Sequence, residues 1–217
     1  MPAMGGMLMP GAWAVAAASF LGMWVVMTTA MMLPSLTPTL WRYREAMSRT
    51  GGARAGSSAA LVGLGYFAVW ATFGAAAVAL GTALATIEMQ QPAVGGAVPL
   101  GIGVVVLLAG LYQFTAAKAR QLAICREAPA RDVRQLDGAG AAWREGLRHG
   151  LHCTGCCAGL MVVLLVIGVT DLRAMVVVAA AITAERLAPA GRHVARATGV
   201  VAVGAGLFLI ARAAGLG

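Results

Sequence analysis

Apolar stretches of about twenty residues recur along the chain, the length a helix needs to cross the hydrocarbon core of a bilayer. Hydrophobic residues make up 60% of the sequence and charged residues only 11%, too little polar surface for a soluble domain. The sequence therefore predicts an all-α integral membrane protein. Six spans are read, at about 11–33, 58–87, 96–117, 149–169, 172–188 and 198–214, with the second long enough to tilt. They form a single polytopic membrane domain over residues 1–217, because the polar interruptions are too short to build a core of their own.

Charge orients this layout. Segments of about 34–57, 118–148 and 186–197 hold 14 of the 16 basic residues, and the opposite side has only Arg173 and Arg212. By the positive-inside rule these three segments are cytoplasmic loops and both termini are extracytoplasmic. Lys118 and Arg186 are counted here as topological charges. The net charge of +8 is then explained by sidedness, and no nucleic-acid partner is needed. MPAMGGMLMPGAW lacks a basic n-region, so the first apolar stretch is expected to stay as a helix. LPSLTP (33–38), with two prolines, is expected to end it. QQPAVGG (90–96) reads as an outside loop and TDLR (170–173) as a tight outside turn. No HExxH, Gly-x-Ser-x-Gly elbow or nucleotide fingerprint is present, and no catalytic residue can be named.

Chemistry concentrates in RHGLHCTGCCAGLM (148–161). At helical spacing His149, Cys153, Cys156 and Met161 fall along one side, Cys157 lies close beside them and His152 stacks on Cys156. Thiolates grouped this way select Cu(I), Zn(II) or an iron–sulfur centre. Two other readings stand beside that one. Cysteine is a small buried residue, and GCCAG also follows a small-xxx-small packing pattern. Cys153 and Cys156 could instead form a redox pair, better spaced than Cys156 and Cys157, which diverge by about 100°. With a span starting near residue 149, the cluster lies at the cytoplasmic threshold of the fourth helix.

Methionines extend the soft-donor set. Met1, Met4, Met7 and Met9 stud the amino terminus, while Met23, Met27 and Met31 repeat every four residues and Met32 adjoins them. Thioethers bind Cu(I) without titrating, whereas Zn(II) prefers other donors; ordinary gap-filling is the competing explanation. Met31 and Glu185 lie at a depth similar to that of the cysteines. A carboxylate there is costly unless paired, so Glu185 is either part of a site or ion-paired with Arg186 or another inner arginine.

Several stretches in order resemble the bacterial integral membrane family DUF2182, described as predicted metal-binding and sometimes labelled copper chaperones. The matching stretches are AMMLP (30–34), AGLYQFTAAK (109–118), CR (125–126), GLRHGLHCTGCCAGLM (146–161), GVTDLRAM (168–175) and ER (185–186). The chain departs from the family pattern at Gln121, where a cysteine is usual, at His152 for tyrosine, at Ala158 for tryptophan and at Asp171 for asparagine. The missing cysteine leaves Cys125 as an accessory thiol.

The residues and the resemblance together predict a multi-pass protein of the bacterial inner membrane that binds a soft metal, Cu(I) ahead of Zn(II), for transport or delivery to a membrane cuproenzyme or other copper-handling protein. The expected donors are Cys153, Cys156, Cys157, His149, His152, Met27, Met31 and Glu185. A membrane thiol–disulfide oxidoreductase and a structural assembly subunit are the alternatives. Beyond the lipid bilayer itself, glycine-rich helix faces permit a homo-oligomer.

Overall fold

The structure, a computed structural model, describes residues 10–49, 55–127, 138–169 and 171–215. Among the described residues there are seven helices and no strand: α1 (Pro10–Arg49), α2 (Ala55–Gln90), α3 (Pro92–Tyr112), α4 (Ala116–Glu127), α5 (Ala139–Ile167), α6 (Leu172–Leu187) and α7 (Gly191–Ala213). Five of them contain segments long and apolar enough to cross a membrane, Ala14–Pro34, Gly56–Gln90, Gly95–Tyr112, Ala139–Ile167 and Gly191–Ala213. The chain is thus all-helical, with the makeup of a multi-pass membrane protein. The remaining expected span is α6, whose 16 residues reach about 24 Å at a rise of about 1.5 Å per residue.

Several boundaries differ from the expected ones. LPSLTP does not end the first helix, which continues through Pro34 and Pro38 to Arg49. The prolines leave two carbonyls without their usual amide donors. Packing keeps the turn helical: Leu36, between the prolines, is fully buried in the same core as Trp24 and Met31. The segments 34–57, 118–148 and 186–197, expected as loops, are largely helical: α1 fills 34–49, α4 and the start of α5 lie within the second, and α7 begins at Gly191. Residues 128–137 of the second segment, and Met1, Met4, Met7 and Met9, lie outside the described residues. The third correction matters most for the chemistry. α5 starts at Ala139 instead of near residue 149, so Cys153 sits about 21 Å along its axis, mid-helix and not at its threshold.

Of the two connections read as lying outside, one is shorter than expected. QQPAVGG is not a loop; only Gln91 separates α2 from α3, and the rest is helical. In TDLR, Thr170 falls outside the described residues, while Asp171 caps α6 by accepting from the amides of Arg173 (2.8 Å) and Ala174 (3.2 Å).

α5 is central. It packs along α2 and also meets α3, α4 and α6, while α3 pairs with α7 and α1 lies on α2 and α6. The α2–α5 crossing depends on small residues. A Cβ on Gly146 would overlap the Val62 carbonyl, and one on Gly65 would come within 2.6 Å of the Trp143 carbonyl. On the other side of α2, the Trp24 indole donates to the Trp70 carbonyl at 2.9 Å and lies over Gly74. These contacts bring the sulfur-bearing face of α1 and the cysteine face of α5 into one buried cluster.

Candidate metal centre

Four thiols meet in that cluster. Cys153, Cys156 and Cys157 are at most 1% exposed, and the Sγ atoms of Cys153 and Cys157, one turn apart, are 3.9 Å from each other. α4 carries Cys125 into the same core, where its thiol hydrogen-bonds to that of Cys156. Read as a lone accessory thiol of an inner loop, Cys125 is instead a buried neighbour of the main group. That hydrogen bond, and then burial, raise its pKa and keep it protonated. From α1, Met27, Met31 and Met32 join the cluster, as does Met161 from α5. Met23 is exposed, so the four-residue stripe turns only its later members inward.

Charged and polar groups surround the sulfurs. The Tyr66 hydroxyl from α2 lies 3.0 Å from Cys153 Sγ, and Arg186 Nη1 from α6 donates to that sulfur at 3.3 Å. Lys118 Nζ from α4 donates both to the Cys156 carbonyl and to Glu185 Oε2, the latter at 2.6 Å, with lysine and glutamate each 1% exposed. Glu185 is therefore ion-paired, and its partner is a lysine where an arginine was expected. Arg126 Nη1 meets the carbonyl of Glu185 at 3.0 Å and fixes this end of α6. Burial works against the Lys118 ammonium, but the neighbouring Cys156 and Glu185 outweigh it and hold its pKa above the ordinary value.

The two histidines part company. His149 is buried, its ring centroid 5.6 Å from that of Tyr66, and its Nε2 has no hydrogen-bond partner among the described residues. His152 turns its Nδ1 to Gln121 Oε1, 2.9 Å away. Two of the departures from the family pattern thus contact each other across α4 and α5. Among the described residues no three His, Cys, Asp or Glu side chains are arranged as a ready metal cage. The arrangement is a pair of close thiols with further thiols and thioethers packed around them.

Sequence reasoning missed Lys118, Arg186 and Tyr66 as parts of this environment. A signal was available for two of them, since Lys118 closes AGLYQFTAAK and Arg186 belongs to the ER pair. Both also satisfy sidedness as part of a run of basic residues, and Arg186 serves equally as a candidate partner for Glu185. The ion pair makes a specific prediction. Lys118→Met leaves the Glu185 carboxylate buried and unpaired and should destabilise the protein by about 3–5 kcal/mol. Lys118→Met combined with Glu185→Leu should recover most of that loss. Thermal unfolding in one detergent reads both variants, and equal instability of the single and double variants would contradict the pairing.

No curated protein and no solved structure matches the chain significantly. A family model does: PpoB2, described as copper chaperone, matches residues 21–209, from the apolar part of α1 almost to the end of α7. By that match over most of its length, the chain belongs to the PpoB2 family of copper chaperones.

Proposed function

We propose that this protein binds Cu(I) inside the membrane and hands it to a membrane cuproenzyme or another copper-handling protein. The observation that carries this reading is the burial of four thiols with Met27, Met31 and Met32 in one cluster beside the Arg186 guanidinium. Cu(I) favours soft sulfur donors, and neutral thioethers add donors without adding charge. Two thiolates around a monovalent cation leave one negative charge, which Arg186 at 3.3 Å offsets. A spacing of 3.9 Å between Cys153 and Cys157 lets one ion with bonds of roughly 2.3 Å touch both sulfurs.

Cys153, Cys156 and Cys157 carry the affinity in this reading, with Met31 or His149 completing a low-coordinate site and Met27 feeding it. His152 acts at one remove through Gln121, and Glu185 keeps Lys118 in place instead of ligating. Zn(II) is the weaker competitor wherever Met31 takes part, because thioethers suit Cu(I) while Zn(II) prefers other donors. The copper would move within a six-span protein of a bacterial inner membrane whose termini are both extracytoplasmic. The distribution of the basic residues supports that orientation.

Anaerobically purified protein should retain about one Cu(I) per chain, as soft-donor selectivity implies. Changing Cys153, Cys156 and Cys157 to serine should abolish retention while leaving the helical content intact. Metal analysis and circular dichroism give both readouts. A native protein that never holds copper overturns the reading. If that metal-free protein forms a reversible Cys125–Cys156 disulfide, the thiol–disulfide oxidoreductase reading, favoured by the contact between those two thiols, takes its place.

Orientation is checked separately. Reporter fusions at residues 50 and 217 should fall on opposite sides of the membrane, and the same sidedness would contradict the six-span layout.

A further inference from the structure

Away from the sulfur cluster, α4 and the α6–α7 junction enclose a groove of about 1020 Å³. Arg120, Arg126, Arg192 and His193 line it, and none of its described lining residues is acidic. Arg126 is held by backbone carbonyls of Glu185 and Pro189, and Arg120 Nε bonds the Ala116 carbonyl. The side chains of Arg192 and His193 make no hydrogen bond or ion pair among the described residues, so their donors face the groove unspent. α7 begins at Gly191; the amides of Gly191, His193 and Val194 are taken by the carbonyls of Ala188 and Ala190, so the start of this 23-residue helix adds its dipole to the same space but few free donors.

A smaller chamber of about 210 Å³ adjoins the groove and shares Arg192, Ala119 and Leu122 with it. Arg196 lines this chamber together with Gln113. Gln113 is 4% exposed, yet neither atom of its side-chain amide has a hydrogen-bond partner. A buried amide left this way loses free energy unless a ligand supplies the missing donor and acceptor. The wall formed by Ala119, Leu122 and Ala123 is apolar.

We propose that the groove and chamber form a binding site for a phosphate-bearing anion, filled by the headgroup of an anionic phospholipid with a polyol headgroup. The phosphate sits among Arg192, Arg196 and the start of α7, where charge-assisted hydrogen bonds suit phosphate oxygens. Headgroup hydroxyls, each both donor and acceptor, satisfy the two atoms of the Gln113 amide. One acyl chain follows the apolar wall of α4. A free phosphate has no use for that wall, which is why the lipid is preferred as the source. The basic ends of these helices also lie on the side where anionic lipids attract Lys and Arg, if the charge distribution sets sidedness as argued above.

Phosphatidylglycerol is the probe. Full-length protein in phosphatidylcholine nanodiscs with a minor share of phosphatidylglycerol should retain the anionic lipid selectively through delipidation, counted by native mass spectrometry. Arg192→Gln with Arg196→Gln should weaken that retention by roughly thirtyfold, the scale expected for losing two cationic contacts at a membrane surface. Both arginines are exposed, so folding should survive. Gln113→Leu should reduce the preference for phosphatidylglycerol over phosphatidic acid, which lacks the hydroxyls. Equal retention of phosphatidylcholine, or unchanged retention in the double-arginine variant, would overturn the site. Displacement of the lipid by millimolar inorganic phosphate would overturn the lipid as its source. None of these readouts depends on bound copper.

Discussion

The Lys118 ammonium is the group on which the rest of this interior depends. An ammonium removed from water costs several kcal/mol unless it is fully paired. Here it is met by the carboxylate of Glu185 on α6 and the carbonyl of Cys156 on α5, so one side chain of α4 joins three helices. Neighbouring residues of a helix point about 100° apart. With Glu185 turned to Lys118, the next residue, Arg186, reaches Cys153. The pairing that places α4 therefore also places a guanidinium against the sulfur cluster, and it brings Cys125 beside Cys156.

Such charges constrain the chemistry as well as the fold. Lys118 and Glu185 neutralise each other, whereas Arg186 adds positive charge beside Cys153 in a water-poor interior. Thiolates beside that guanidinium would be stabilised by it more than neutral thiols would. A bound soft monovalent cation fits between these limits. In the proposed site, binding would draw the thiols toward thiolate, and the guanidinium would balance the negative charge that remains. The methionines contribute polarizable donors at no electrostatic cost. Burial keeps water away from the sulfurs, as the proposed binding of Cu(I) requires.

Much of this was legible in the sequence, for identifiable reasons. Long apolar runs gave the helical membrane class, and the spacing of Cys153, Cys156, Cys157, Met27 and Met31 anticipated residues that do lie in one buried cluster. Periodicity is a local property, and these residues belong to only two helices. What escaped was set by contacts between helices. Pro34 and Pro38 read as an end because nothing local shows that Leu36 between them is buried in the core. A helix was not expected over Ala116–Glu127, since its mixed composition suits a polar loop equally well. Without that helix, Lys118 and Cys125 had no route to the cysteines of α5. His152 and Gln121, each a departure from the family pattern, gave no hint singly that they form a pair. Arg186 reads as a sidedness charge or a partner for Glu185, and depth alone does not separate those roles from a contact with Cys153.

The central claim is that a soft monovalent ion is held by buried sulfur. Copper K-edge X-ray absorption on anaerobically loaded full-length protein tests it most directly. The account predicts a Cu(I) edge and a first shell dominated by two or three sulfurs, at the roughly 2.3 Å typical of metal–thiolate bonds. A first shell dominated by nitrogen or oxygen, or a copper signal unchanged when Cys153, Cys156 and Cys157 are all serine, would contradict it.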